Sequence, residues 1–269
     1  MLLSAGLLLL GVGMSVLAVQ FAGLRLGGVL VVPITAIYGL YDFESLPILV
    51  GSTVVAYVAL SVLRRRTFLF GRMLLLSSMV AGAVIPLGIL LCADTALVSV
   101  DLASEVVFLG SIMPGVAAYN FHRLESDERV WDALLSLAAL ASLFVCGLAL
   151  VNPTTAELLA DVGVPVLFNK GSDVAQLRSA GAVEAQQSFA PGQLFATASI
   201  VVGLVLNEAV YDRWGVRLLG MISAPLLAMF VTIAPSALGV YVLGLVLVTV
   251  AVELVARRTL LYGRVLLST

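Results

Sequence analysis

Nine long apolar runs constrain the fold of this chain more than any other feature. Each has about 17–25 residues, the length an α-helix needs to cross the hydrocarbon core of a bilayer. Lipid offers no hydrogen-bond partner to open backbone, so segments that cross it must be helical. The runs cover residues 1–21, 25–41, 45–63, 73–93, 104–120, 131–151, 194–210, 216–234 and 236–255.

Composition excludes an ordinary soluble domain. The chain is 61% hydrophobic and 11% charged, with a mean hydropathy of +1.15. We therefore predict an all-α, polytopic integral membrane helical bundle of about nine transmembrane helices. The runs 25–41 and 216–234 each carry a proline about eight residues after an arginine, so the sequence leaves open whether they span fully.

The arginines orient the predicted helices. Alternate connections hold 12 of the 14 basic residues: Arg25, Arg64, Arg65, Arg66, Arg72, Arg123, Arg129, Arg213, Arg217, Arg257, Arg258 and Arg264. The opposite side holds Lys170 and Arg178. By the positive-inside rule the arginine-rich side is cytoplasmic. We expect a multi-pass protein of the cell membrane with its N-terminus outside and its C-terminus cytoplasmic.

The chain contains an internal repeat. Residues 23–72 match residues 215–264 without gaps, and glycine, arginine, threonine and proline carry the match. The offsets 215 − 23, 225 − 33, 257 − 65 and 264 − 72 all equal 192. Both copies run in the same direction across the predicted membrane, so this is a parallel repeat.

Three regions follow from these patterns. Residues 1–151 form a membrane region of about six helices, and residues 194–269 form a partial second copy of about three helices. Residues 152–193 form a polar extracytoplasmic loop, rich in Ala, Gly, Ser, Gln and Asp. That loop has too few large apolar residues to build its own core, so we expect a partly helical or flexible segment.

The sequence predicts no catalytic group, metal site or cofactor. The only histidine, His122, lies in a charged stretch that is typical of a solvated turn. One histidine does not make a metal site. The chain has no GxxxxGK[ST] loop and a single lysine, so we expect no ATP site. Glu253 precedes Arg257 by four residues, the spacing of a structural ion pair on a helix.

Four arginines are candidates for binding an anionic substrate: Arg25, Arg72, Arg217 and Arg264. They would ring a cytoplasmic entrance. The alternative is that they anchor helices at the interface by snorkelling. Glycines and prolines nearby allow close packing or bending of the helices: Gly27, Gly28, Pro33, Gly71, Gly110, Pro114, Gly115, Gly220, Pro225 and Gly263.

Three of these stretches carry a family resemblance. The run 27–33 (GGVLVVP), the triplets 70–72 (FGR) and 262–264 (YGR), and the run 110–120 (GSIMPGVAAYN) resemble motifs of the membrane subunit of poly-γ-glutamate synthase, the CapC/PgsC family. The order and spacing agree over roughly residues 1–150.

The resemblance implies a non-catalytic membrane subunit that works in biosynthesis or export of a capsular polyanion. Its expected partners are a separate ATP-dependent amide ligase at the cytoplasmic face, other synthase subunits, the anionic polymer and membrane lipid. We expect no nucleic-acid partner.

Two other functions stay open. One is a seven-helix-type membrane domain associated with transglutaminase-like or ATP-grasp peptide systems. The other is a secondary transporter for a small anion, although a parallel repeat is not the inverted repeat of many transporter folds.

Overall fold

The computed structural model describes residues 2–96, 112–159, 166–181, 193–215, 227 and 237–259. Contacts divide the chain into two compact units, residues 1–197 and 198–269, and each is described by itself. The described residues form helices and no strand: α1 Leu2–Ala22, α2 Val31–Tyr41, α3 Ser45–Thr67, α4 Gly71–Ala96, α5 Met113–His122, α6 Ser126–Leu150, α7 Pro153–Leu159, a 3-10 turn Val166–Phe168, α8 Asp173–Leu177, α9 Gln193–Trp214 and α10 Ala237–Thr259.

Four helices within the described ranges are long and apolar enough to cross a bilayer. They are α1, α3, the first part of α4 and α6. Two shorter apolar helices are Val31–Tyr41 and Tyr241–Leu254. Nine crossings remain a prediction, because residues 104–111 and nearly all of the run 216–234 lie outside the described residues.

The predicted span 25–41 is wrong at its start. Only Val31–Tyr41 is helical, and its 11 residues reach about 16 Å, half of the hydrocarbon core. Residues 23–30 form an irregular loop because Gly23, Leu26, Gly27 and Gly28 have positive φ angles of 69°, 50°, 64° and 128°. Positive φ breaks a right-handed helix, and glycine adopts it without steric cost.

The short helix α2 is the centre of the first unit. It packs on α1 and α6 on one side and on α3 and α5 on the other. Ala36 and Leu40 of α2 are fully buried. At Leu40 the contact is with Gly147 of α6, where a Cβ atom would overlap the leucine side chain.

The helices α3, α4 and α5 pack together as a group. The tightest point lies between α4 and α5, where a Cβ on Gly115 would overlap the backbone carbonyl of Ser78. A Cβ on Gly82 would in turn overlap the backbone of Gly115. Small residues let helix backbones approach closely in membrane proteins, so the predicted packing role of Gly115 has a structural basis.

Residues 166–181 of the predicted polar loop pack on the bundle instead of forming a core of their own. Leu167, Phe168 and Val174 are buried in the same apolar cluster as residues of α1, α2 and α6. The carboxylate of Asp173 accepts a hydrogen bond from the backbone N–H of Phe43, in the turn between α2 and α3, at 2.7 Å.

In the second unit, the structure describes the rest of α9 and residues 237–259 of α10. Arg257 Nε donates to Glu253 Oε1 at 2.8 Å, which confirms the predicted ion pair. Both side chains are well exposed, so the pair adds little to stability.

Candidate functional site

Residues 23–30, the arginine loop, carry three of the predicted site residues, namely Arg25, Gly27 and Gly28. The loop joins the end of α1 to α2, and Leu26 within it is buried although its φ is positive. A residue with a Cβ atom rarely adopts positive φ, so the surroundings must hold Leu26 in place. Those surroundings come from α5 and α6.

A buried carboxylate on α6 holds the arginine loop. Asp132 is fully buried, and its Oδ1 accepts hydrogen bonds from the backbone N–H of Arg25 at 2.6 Å and of Leu26 at 2.8 Å. Its Oδ2 accepts from the N–H of Gly27 at 3.0 Å. Buried backbone outside regular helices is stable only where the protein supplies hydrogen-bond partners for its N–H and C=O groups. Three charge-assisted bonds supply them and also make the buried charge tolerable.

A second contact comes from α5. Asn120 Nδ2 donates to the backbone carbonyl of Gly27 at 2.9 Å. A Cβ on Gly28 would lie 2.8 Å from that same nitrogen, so the position requires glycine both for its φ of 128° and for space. The Gly-Gly pair predicted as a packing motif is therefore part of a hydrogen-bonded loop.

The remaining described motif residues lie at helix ends and crossings. Gly71 begins α4 with a φ of 58°, and Arg72 follows it as a partly buried residue. Pro33 of α2 lies against Gly11 of α1. Pro114 and Gly115 are in the first turn of α5. Six predicted site residues lie outside the described ranges: Arg217, Arg264, Gly110, Gly220, Pro225 and Gly263.

The charged residues Arg123, Glu125, Asp127 and Glu128 after His122 are exposed, as a solvated turn predicts, but the His122 ring is partly buried. The His122 ring stacks on Tyr57 of α3 with centroids 4.3 Å apart, and its Nε2 lies 3.0 Å from the Tyr57 carbonyl oxygen. A carbonyl only accepts, so Nε2 carries the proton. Burial lowers the pKa of His122, and the charges of Arg129 and Arg64 lower it further, while the hydrogen bond to Tyr57 opposes them.

This arrangement does not form a serine nucleophile with a histidine base. Ser61 Oγ lies 3.3 Å from His122 Nε2, but its hydroxyl donates to the Tyr57 carbonyl at 2.9 Å. Both groups thus donate to one oxygen, whereas a base would have to accept the serine proton. Arg129 Nη1 donates to the Tyr57 hydroxyl at 3.2 Å and Nε to the Leu124 carbonyl at 3.0 Å. The cluster fastens α3 to the turn between α5 and α6.

Sequence reasoning missed Asp132 and Tyr57. Asp132 lies in the second position of the apolar run 131–151, and a carboxylate inside such a run is costly unless it has partners. That signal was sufficient to select Asp132. Nothing in the local sequence distinguishes Tyr57 from the other aromatic residues.

In the parts of the chain that the structure describes, no group of three or more His, Cys, Asp or Glu side chains is placed to hold a metal ion. The described site is an arginine-bearing loop whose backbone is held by side chains of two helices, Asn120 of α5 and Asp132 of α6.

The sequence model of one protein family, described as Capsule biosynthesis CapC, matches residues 10–130 and 202–269, more than half of the chain. No curated protein and no solved structure shows a significant match.

Proposed function

The chain belongs to the capsule biosynthesis CapC family, and on this basis we propose that it is a non-catalytic membrane subunit of a poly-γ-glutamate synthase or exporter. It is a multi-pass membrane protein of capsule synthesis. The proposal goes further in naming the polymer as poly-γ-glutamate and in assigning the ATP-dependent amide ligase to a separate subunit at the cytoplasmic face.

The family match carries this proposal, and the geometry of the arginine loop supports it. A polymer of glutamate is a polyanion, and guanidinium groups bind carboxylates with charge-assisted hydrogen bonds. Asp132 accepts hydrogen bonds from the backbone N–H groups of Arg25 and of the two residues after it. Three further arginines, Arg64, Arg65 and Arg66, end α3. A nascent polymer reaching the arginine-rich side would meet cations held in defined positions.

We also propose that residues 194–269 are a partial second copy of the first membrane region. The helix ends support it, because α1 ends at Ala22 and α9 ends at Trp214, and 214 − 22 equals 192. Gly215 has a φ of 67° and Gly23 a φ of 69°, at the same place after their helices. The two matched family segments also begin 192 residues apart, at 10 and 202. Arg217 would then be the counterpart of Arg25, and Arg264 of Arg72.

The experiment is deletion of the gene in its host, followed by hydrolysis of the surface polymer, assay for γ-linked glutamate and an immunoblot for the ligase. We expect the polymer to vanish while the ligase persists. Complementation with Arg25→Gln or Arg72→Gln should restore little polymer at normal membrane levels of the protein. Arg25→Lys, which keeps the charge, should restore more.

Arg178→Gln is the matched control, because Arg178 is an exposed cation in the predicted extracytoplasmic segment. It should restore wild-type polymer. A polymer that is absent from the wild-type host, or unchanged on deletion, contradicts the proposal. Equal loss with Arg178→Gln would mean that the loss does not depend on the arginine-rich side.

A further inference from the structure

An apolar groove of about 190 Å³ lies beside the arginine loop. Its lining comes from α2, α3, α5 and α6, with Gly27 at the loop, Pro114 on α5, Val54 on α3 and Leu137 on α6. The groove belongs entirely to the first unit.

The groove opens toward lipid. Its rim residues Val54 and Leu137 are 60% and 52% exposed, although both lie on helices of membrane-crossing length. The helices α3 and α6 pack on α2 and α5 rather than extensively on each other, which leaves the gap between them. Exposed apolar side chains on crossing helices face hydrocarbon, so lipid chains have access to the groove.

Few polar groups in the groove are available to bind water. Thr53 Oγ1 donates to the Leu49 carbonyl at 2.9 Å, and Ser136 Oγ donates to the Asp132 carbonyl at 2.6 Å, so both hydroxyl protons are used within their own helices. Thr35, Thr53 and Ser136 are the hydroxyl-bearing residues of a lining that is otherwise apolar, and a mainly apolar space does not hold water well. An empty one loses dispersion contacts along its lining. A hydrocarbon chain restores those contacts.

The arginine-rich end of the groove carries positive charge. Arg129 lies one helical turn before the lining residue Ala133, and its bond to the Tyr57 hydroxyl crosses from α6 to α3. Its two hydrogen bonds within the described residues use two of the five N–H donors of a guanidinium. Arg64 is close enough to His122 to lower its pKa, so it adds charge at the same end.

We propose that this groove binds one acyl chain of an anionic phospholipid, with the lipid phosphate against Arg129. An apolar slot that leads to arginine at the membrane interface complements a negatively charged headgroup on a hydrocarbon chain. The proposal goes beyond the proposed function, because it assigns a resident lipid and not the polymer.

The test uses the full chain purified in mild detergent. Native mass spectrometry counts retained phospholipid, and the melting temperature is followed while dioleoylphosphatidylglycerol or dioleoylphosphatidylcholine is added. We expect one retained phospholipid and greater stabilisation by phosphatidylglycerol, since a ligand that binds the folded state raises the melting temperature. Val54→Trp fills the groove mouth and should abolish retention. Val58→Trp, on the next turn of α3 at 56% exposure but outside the lining, should not.

Arg129→Gln can keep the bond to the tyrosine hydroxyl while it removes the charge. It should weaken phosphatidylglycerol binding about tenfold and phosphatidylcholine binding less, because the choline cation already offsets the phosphate charge in phosphatidylcholine. Arg123→Gln, at an exposed neighbouring arginine, is the control. The proposal is overturned if the wild-type protein binds neither lipid, if Val54→Trp retains lipid as Val58→Trp does, or if the two arginine variants behave alike. A groove covered by protein would give the first of these results.

Discussion

Replacement of Asp132 tests the central observation, that one carboxylate holds the arginine loop. Asp132→Asn keeps an oxygen that can still accept from Arg25 and Leu26, but it turns an N–H group toward the N–H of Gly27. Asp132→Leu preserves the approximate volume and removes all three acceptor contacts. The two variants therefore leave one and three buried donors without a partner.

The expected magnitudes follow from that count. A buried donor left unsatisfied costs about 1–3 kcal/mol. Asp132→Asn should lower the free energy of unfolding by about that amount, and Asp132→Leu by roughly 3–9 kcal/mol. The larger loss is comparable to the whole stability of a typical domain, about 5–15 kcal/mol. Local opening of the loop would reduce both values.

Limited trypsin digestion measures how readily the arginine loop opens, because Arg25 within the loop is itself a cleavage site. Cleavage after Arg25 is compared with cleavage at the exposed Arg65 as an internal reference. The ratio should rise from wild type through Asp132→Asn to Asp132→Leu, and the melting temperature in detergent should fall in the same order. Asp127→Asn and Asp127→Leu are the controls, because Asp127 is exposed on the same helix.

Wild-type cleavage and melting in Asp132→Leu would refute the reasoning. So would equal effects of the Asp127 and Asp132 variants, because the effect would then come from helix charge and not from the three bonds.

Three further predictions concern packing and charge elsewhere. Gly115→Ala should lower the free energy of unfolding by about 1–3 kcal/mol because its Cβ overlaps the next helix, whereas Gly88→Ala, with open space around it, should be neutral or slightly stabilising in thermal unfolding. Phe168→Ala removes a fully buried ring and should cost about 3–5 kcal/mol, whereas Leu177→Ala, at 65% exposure, should cost little by the same assay. Burial raises the pKa of Asp42, so ionised Asp42 disfavours the folded state. Asp42→Asn should therefore raise the melting temperature slightly at pH 7, and the gain should disappear as the pH falls through the raised pKa toward the ordinary value of 3.8.

Each of these has a result that contradicts it. Equal melting temperatures for Gly115→Ala and Gly88→Ala would show that the α4–α5 crossing tolerates a methyl group. A neutral Phe168→Ala would mean that residues 166–181 do not contribute to the bundle. If the stabilisation by Asp42→Asn persists or grows at acid pH, it comes from the shape of the side chain and not from its charge.

Hydropathy predicted the long helices well because their ends are set by local composition. The runs 1–21, 45–63, 73–93 and 131–151 correspond to α1, α3, α4 and α6 with bounds shifted by a few residues. The length of an apolar run determines whether a helix can span, independent of what it packs against. The same criterion placed residues 25–30 in a helix, where positive φ angles exclude one.

Only part of the candidate site could be predicted, because its residues come from distant parts of the sequence. The arginine and the glycines are visible as a motif, but their structural meaning depends on Asp132, more than 100 residues away. No periodicity or spacing rule links positions so far apart. Similarly, the stacking of His122 on Tyr57 depends on how α3 and α5 pack, so the exposed charges beside the histidine gave no sign of it.

The long separation of the arginine loop from its carboxylate also determines when this protein can finish folding in the cell. The first two apolar segments leave the ribosome well before Asp132, which follows Gly27 by 105 residues. At a synthesis rate of about 5–20 residues per second, the delay is roughly 5–20 seconds. During that interval the amides of residues 25–27 lack the carboxylate that accepts their hydrogen bonds in the folded protein. The loop can therefore reach its final conformation only after α6 has been synthesised and has packed beside it.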